Sequence, residues 1–99
     1  MTYKLAFLPS ARKEWDGLGG NVREQFRKKL IERLEGPRVA SAKLSGMPDC
    51  YKIKLRAAGY RLVYRVDDDV VTVVVVAVGR RDRNLVYKIA AGRAGGMAG

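Results

Sequence analysis

The apolar positions of this chain change period along its length, and each change marks an element. Tyr3, Leu5 and Phe7 alternate with Lys4 and Ala6, the period of two that sets alternate side chains on one face of a strand. Pro9-Ser10 closes that strand. Ser10 then serves as N-cap for a short helix over residues 11–18, with Ala11, Trp15 and Leu18 on one side. Gly19-Gly20 interrupts the chain, and Asn21 opens a longer helix. Val22, Phe26, Leu30 and Leu34 recur there every fourth residue as a buried stripe. Asn21 and Glu24 have the spacing of a capping box, and Gly36-Pro37 stops the helix.

The second half reads as strands. After a connecting loop over residues 38–49, residues 51–56 alternate strictly: Tyr51, Ile53 and Leu55 point one way, Lys52, Lys54 and Arg56 the other. Ala57-Ala58-Gly59 turns the chain into a second alternating run over residues 60–66, and Asp67-Asp68-Asp69 turns it again. Residues 70–78 are almost wholly β-branched, the signature of a central strand covered on both faces. That run is too short to cross a bilayer as a helix. A last helix is expected over residues 84–91, burying Leu85, Val86 and Ile89. The order β-α-α-β-β-β-α, with tight turns between the late strands, predicts an α+β class: a twisted, largely antiparallel sheet packed against helices. Residues 1–93 read as a single domain and residues 94–99 as a disordered tail.

Composition narrows the function. The chain has 99 residues and an apolar fraction of 47%, ordinary for one globular domain. No signal peptide or membrane span is visible, which predicts a cytoplasmic protein. With no histidine and only Cys50, an internal disulfide and a structural zinc site lack their residues, and the commonest general base is missing. No metal or cofactor is expected. Twenty Lys and Arg against ten Asp and Glu give a net charge of +10. So strong a positive field implies a polyanionic partner: nucleic acid first, then an acidic protein or an anionic membrane.

The position of the cations sharpens this. If Arg56 pairs with Arg61, Lys54 with Val63 and Lys52 with Arg65, then Lys52, Lys54, Arg56, Arg61 and Arg65 share one sheet face. No acidic residue lies between positions 51 and 66 to offset them. An anionic ligand or a plain solvated face would each account for the pattern. Arg80, Arg81 and Arg83 follow the central strand beside a helix start, a favourable place for phosphate. Tyr87 is offset from Val86 and Ile89 and is expected to face outward, where a nucleobase can stack on it. Arg23, Arg27 and Lys28 lie on the long helix, as solvated surface or as ribosome contacts. Such groups can cut RNA without histidine, because the ribose 2′-hydroxyl is the nucleophile. Arginines stabilise phosphoryl charge, and a lysine crowded by cations has a lowered pKa. Either Lys52 or Lys54 then serves as proton acceptor. Asp67, Asp68, Asp69 and Asp82 are read as turn formers and local counter-charges.

These residues carry a resemblance. Lys-Glu-Trp (13–15), Val-Arg-Glu-Gln-Phe (22–26), Gly-Met-Pro-Asp-Cys-Tyr-Lys-Ile-Lys-Leu-Arg (46–56), Gly-Tyr-Arg-Leu-Val-Tyr (59–64) and Val-Gly-Arg-Arg-Asp-Arg (78–83) closely resemble the RelE family of toxins, over residues 2–91. The resemblance implies a microbial-ribonuclease-like fold and a ribosome-dependent endoribonuclease of a type II toxin–antitoxin module. Such enzymes cleave messenger RNA in the ribosomal A site and leave a 2′,3′-cyclic phosphate. It further implies Lys52 and Lys54 as catalytic lysines, Arg61 and Arg81 as phosphoryl-stabilising arginines and Tyr87 as the base-stacking tyrosine. Arg56, Arg65, Arg80 and Arg83 would contact RNA or ribosome. The implied partners are an acidic RelB-like antitoxin, the 70S ribosome with its small-subunit rRNA and, only as toxin–antitoxin complex, operator DNA. Ser45 stands where close relatives carry an arginine, which removes one RNA contact. Two further readings remain: a non-catalytic nucleic-acid-binding module, and a gyrase-poisoning relative on the same fold, although such relatives tend to lack this residue set.

Overall fold

A computed structural model describes residues 2–82 and 84–97. Its elements are β1 (Lys4–Phe7), α1 (Pro9–Asp16), α2 (Gly20–Glu35), a short 3-10 turn (Ala40–Ala42), β2 (Cys50–Leu55), β3 (Tyr60–Asp67), β4 (Thr72–Arg80) and α3 (Leu85–Met97). The sheet order is β1-β4-β3-β2. β1 runs parallel to β4, while β2–β3 and β3–β4 are antiparallel. The expected α+β order is therefore the observed one, with β4 central.

Alternation gives this sheet two different faces. On one, Tyr51, Ile53, Leu55, Leu62, Tyr64 and Val66 meet Trp15 of α1 and Phe26 and Leu30 of α2. The stripe on α2 is as the period of four predicts: Phe26 and Leu30 are fully buried, with Val22 and Leu34 packed at its ends. On the other face Cys50, Val63, Val76 and Ala77 meet Val86 and Ala90 of α3 in a second, smaller core. A bulge in β4 opposite Val63 and Tyr64 resets the alternation, so that Val76 and Ala77 both serve this second core. It also sets Gly79 beneath α3, where a Cβ would lie 3.1 Å from Val86 Cγ2.

Several local expectations are corrected. Ser10 does not cap α1: Pro9 occupies the first turn after Leu8, where its missing N–H is no loss. The capping box on α2 does not form. The helix begins one residue earlier, after Gly19, and the Glu24 carboxylate turns instead to Arg27. β4 starts at Thr72 rather than Val70, because Val71 takes a left-handed φ of 49° and Val70 is exposed in the turn. Leu5 and Leu85 are exposed, whereas Ala90 is in the core. α3 passes its expected end at Ala91 and runs to Met97, into the stretch read as a tail. Arg93 accounts for this: it donates to Glu14 of α1 at 2.8 Å and to the Val76 carbonyl at 2.9 Å, drawing the second half of α3 onto the sheet. Among the described residues no helix is long and apolar enough to cross a membrane.

Candidate active site

The β2–β3 hairpin positions the site. Its register is two residues from the expected one: Lys54 faces Arg61, Lys52 faces Val63 and Cys50 faces Arg65. The turn is closed by Gly59, whose φ of +72° suits glycine and whose N–H donates to the Leu55 carbonyl at 2.8 Å. A slip of two preserves the face, so Lys52, Lys54, Arg61 and Arg65 still share it, with Arg56 moved into the turn. Val63 and Cys50 between them lie under α3.

Backbone contacts bring the next arginine in. The Arg81 N–H donates to the Gly59 carbonyl at 2.7 Å, tying the strand-end loop to the hairpin turn. A cleft of ≈ 210 Å³ results, lined by Lys54, Arg56, Gly59, Tyr60, Arg61 and Arg81 among others, with no carboxylate on its walls among the described residues. Arg61 is held from both sides: its guanidinium lies 5.2 Å from the Tyr87 ring centroid, and Nη1 donates to Asn84 Oδ1 at 3.3 Å. Lys54 has its pKa lowered, chiefly by the charge of Lys52, then by partial burial and by Arg61 and Arg56. A lysine in this setting gives up its proton more readily than one in water.

The other expected site residues are less tightly gathered. Tyr87 does not simply face outward. It packs partly into the second core, and its hydroxyl is buried without a hydrogen-bond partner among the described residues. Arg65 lies at the far end of β3, beside Asp49, Asp67, Asp68 and Asp69, away from Lys54. Those aspartates act as turn and counter-charge groups: Asp67 accepts from the Asp69 N–H, and Asp68 pairs with Arg38 at 2.7 Å. Arg80 covers the Tyr60 ring at 5.6 Å. Arg23, Arg27 and Lys28 belong to α2, on the opposite side of the sheet from Lys54, and Arg27 is paired with Glu24 at 2.9 Å. Arg83 lies outside the described residues. Among the described residues, no three His, Cys, Asp or Glu side chains come together as a metal site would need.

Sequence reading missed Arg33. From the last turn of α2 its Nη1 donates to the Lys52 carbonyl at 3.2 Å and to the Tyr64 hydroxyl at 2.9 Å. It therefore supports the lysine-bearing strand from below. Its place beside Leu34 in a mixed-charge helix gave no sign of this.

Comparison with known proteins places this geometry. The family described as ParE toxin of type II toxin-antitoxin system, parDE, matches residues 5–85. The mRNA interferase toxin RelE of Escherichia coli (strain K12) is 58% identical over 93 residues, covering 94% of this chain and 98% of that protein. A free-state structure of an E. coli toxin RelE mutant is similar at TM-score 0.87 and 56% identity, over 94% of this chain and 98% of that one. The toxin chain matched in the intact E. coli RelBE toxin–antitoxin complex gives TM-score 0.79 at 59% identity, over 82% and 99%.

Proposed function

This chain belongs to the RelE/ParE superfamily of type II toxin–antitoxin toxins, on its RelE side, and from that premise we propose that it is an mRNA interferase. It cleaves messenger RNA in the ribosomal A site, and translation stops. The observation that carries the reading is the carboxylate-free cleft in which Lys54, Arg61 and Arg81 converge.

The chemistry follows from what that cleft offers. The ribose 2′-hydroxyl attacks the adjacent phosphorus in line, and the 5′-oxygen of the next nucleotide leaves. Lys54 takes the proton of the 2′-hydroxyl, since the cations around it favour its neutral form. Arg61 is preorganised by Tyr87 and Asn84, so it meets the developing phosphoryl charge without reorganising. Arg81, anchored through its backbone to Gly59, neutralises the same charge from the other wall and protonates the leaving oxygen. Lys52 holds down the pKa of Lys54 and binds phosphate beside it. Tyr87 receives the base next to the cleft while its ring steadies Arg61. The reaction needs no metal, because arginines supply the positive charge that an ion would bring.

The +10 chain suits an acidic RelB-like antitoxin, and the fold it shares with the toxin of the RelBE complex supports such a partner. Together they would bind operator DNA, and the free toxin would act in the cytoplasm on the 70S ribosome. Primer extension on translated messages tests the reading. Cuts within codons in the A site are expected for the wild type and lost in Lys54→Ala and Arg81→Ala. Undiminished toxicity in both variants would overturn it, and DNA-damage signalling without RNA cuts would assign the gyrase-poisoning alternative.

A further inference from the structure

Lys54 and Arg56 border a second groove as well as the cleft. This groove, of ≈ 270 Å³, runs along the outer side of β2 towards the 3-10 turn and is lined by Arg33, Ser41, Ala42, Lys52, Lys54 and Arg56. Four of these side chains are cationic and none is acidic. Such a groove is unfavourable when empty, because its charges repel one another.

Arg33 makes this groove a built feature rather than a loose basic patch. Its Nη1 is fixed on the Lys52 carbonyl and the Tyr64 hydroxyl, and its guanidinium lies 5.7 Å from the Tyr64 ring centroid. The Tyr64 hydroxyl is itself fixed, donating to the Pro37 carbonyl at 2.6 Å. Nε and Nη2 of Arg33 make no hydrogen bond among the described residues. A planar fork held in this way suits the oxygens of a phosphodiester. Lys52 and Lys54, two residues apart on one strand face, bring their side chains together at the wall the groove shares with the cleft.

We propose that this groove is a second phosphate subsite, in which Arg33, Lys52 and Arg56 hold the message phosphate next to the scissile one. The proposal rests on the mRNA-cleavage reading and deepens it. The shared wall of Lys54 and Arg56 means that a strand in the cleft continues directly into the groove. Holding the neighbouring phosphate fixes the backbone on one side of the reacting ribose, which helps align the 2′-hydroxyl. Arg33 is then a positioning residue.

The test pairs a groove variant with a single neutralised phosphate. Programmed ribosomes carry messages with a methylphosphonate at the phosphate on the 5′ side, or on the 3′ side, of the scissile one. For the wild type, one of these substitutions should slow single-turnover cleavage about tenfold or more, the scale of a lost charge-assisted contact. In Ser41→Glu, which brings a carboxylate into the groove from an exposed position, cleavage of the unmodified message should be slow. The same methylphosphonate should then cost little. Arg33→Gln should show the same loss of sensitivity, and circular dichroism of each variant checks that it folds. Equal methylphosphonate effects in the wild type and in folded Ser41→Glu, at both positions, would overturn the subsite. Slower ribosome binding by Ser41→Glu with unchanged methylphosphonate effects would place the phosphate in rRNA and also overturn it. Failure of the wild type to cut the unmodified message would instead refute the mRNA-cleavage reading.

Discussion

Replacing Arg93 with alanine isolates the contact that carries α3 past its expected end. In the intact protein Arg93 donates to Glu14 Oε1 at 2.8 Å, to Glu14 Oε2 at 3.2 Å and to the Val76 carbonyl at 2.9 Å. Glu14 Oε1 also accepts from the Val78 N–H at 3.2 Å, so helix α1, the bulge in β4 and helix α3 meet at one ion pair. The side chains are 24% and 29% exposed, too shielded for an ordinary surface pair and too wet for a fully buried one. A hydrogen bond to a charged group contributes about 1.5–3 kcal/mol when shielded, whereas an exposed pair contributes about 0–1 kcal/mol. Arg93→Ala is therefore expected to cost about 1–2 kcal/mol, or about 4–8 °C in Tm for each kcal/mol in a domain of this size. Urea denaturation of the wild type, Arg93→Ala, Glu14→Gln and the double variant gives the coupling energy, expected near 1 kcal/mol because both single changes break the same bonds. Hydrogen exchange should show the loss of protection concentrated in the second half of α3. Additive single effects, or unchanged exchange in that half, would refute the role given to the pair.

Three further outcomes follow from single contacts. The Tyr64 hydroxyl is buried and bonded to Pro37 and Arg33, so Tyr64→Phe should cost about 1–2 kcal/mol in urea denaturation. Burial raises the Tyr64 pKa above its ordinary value of 10.0, so the folded state holds that proton more tightly than the unfolded chain does; the resulting stability is present below pH 10 and is lost as pH rises further. Tyr64→Phe should thus show a shallower alkaline decline than the wild type, and an identical decline would contradict the assignment. A Cβ at Gly79 meets Val86 Cγ2 at 3.1 Å, so Gly79→Ala should displace the start of α3, lower stability by about 1 kcal/mol and slow cleavage through the neighbouring Tyr87; unchanged melting and cleavage would contradict that. Lys52 is the largest cause of the lowered Lys54 pKa, so removing its charge is expected to raise that pKa.

The sequence carried the elements and the face of the site further than their edges. The four-residue stripe on α2 and the strict alternation from Tyr51 to Leu55 are properties of one segment each, and both appear in the structure as read. The hairpin register differs by two residues from the one its turn suggests, yet the cationic face survives, because parity alone decides which side a strand residue occupies. Helix starts depart from the capping pattern where proline and glycine backbones stand in place of side-chain caps, at Pro9 and Gly19. The least legible features depend on contacts between distant segments. Arg33 under Lys52, Arg93 on Glu14, and the half-burial of Tyr87 against Arg61 each join parts of the chain that no local pattern relates. The bulge in β4 leaves no trace in a run of valines.

In the proposed mechanism Lys54, kept ready to lose its proton by the cations around it, takes the proton in RNA cleavage. Single-turnover cleavage on programmed ribosomes, followed against pH for the wild type, Lys52→Gln and Lys54→Ala, reads that role. The wild-type rate should climb with pH as Lys54 loses its proton. In Lys52→Gln the same limb should lie at higher pH, and in Lys54→Ala it should be absent from a much slower reaction. A limb at the same pH in the wild type and Lys52→Gln, or one that persists in Lys54→Ala, would contradict it.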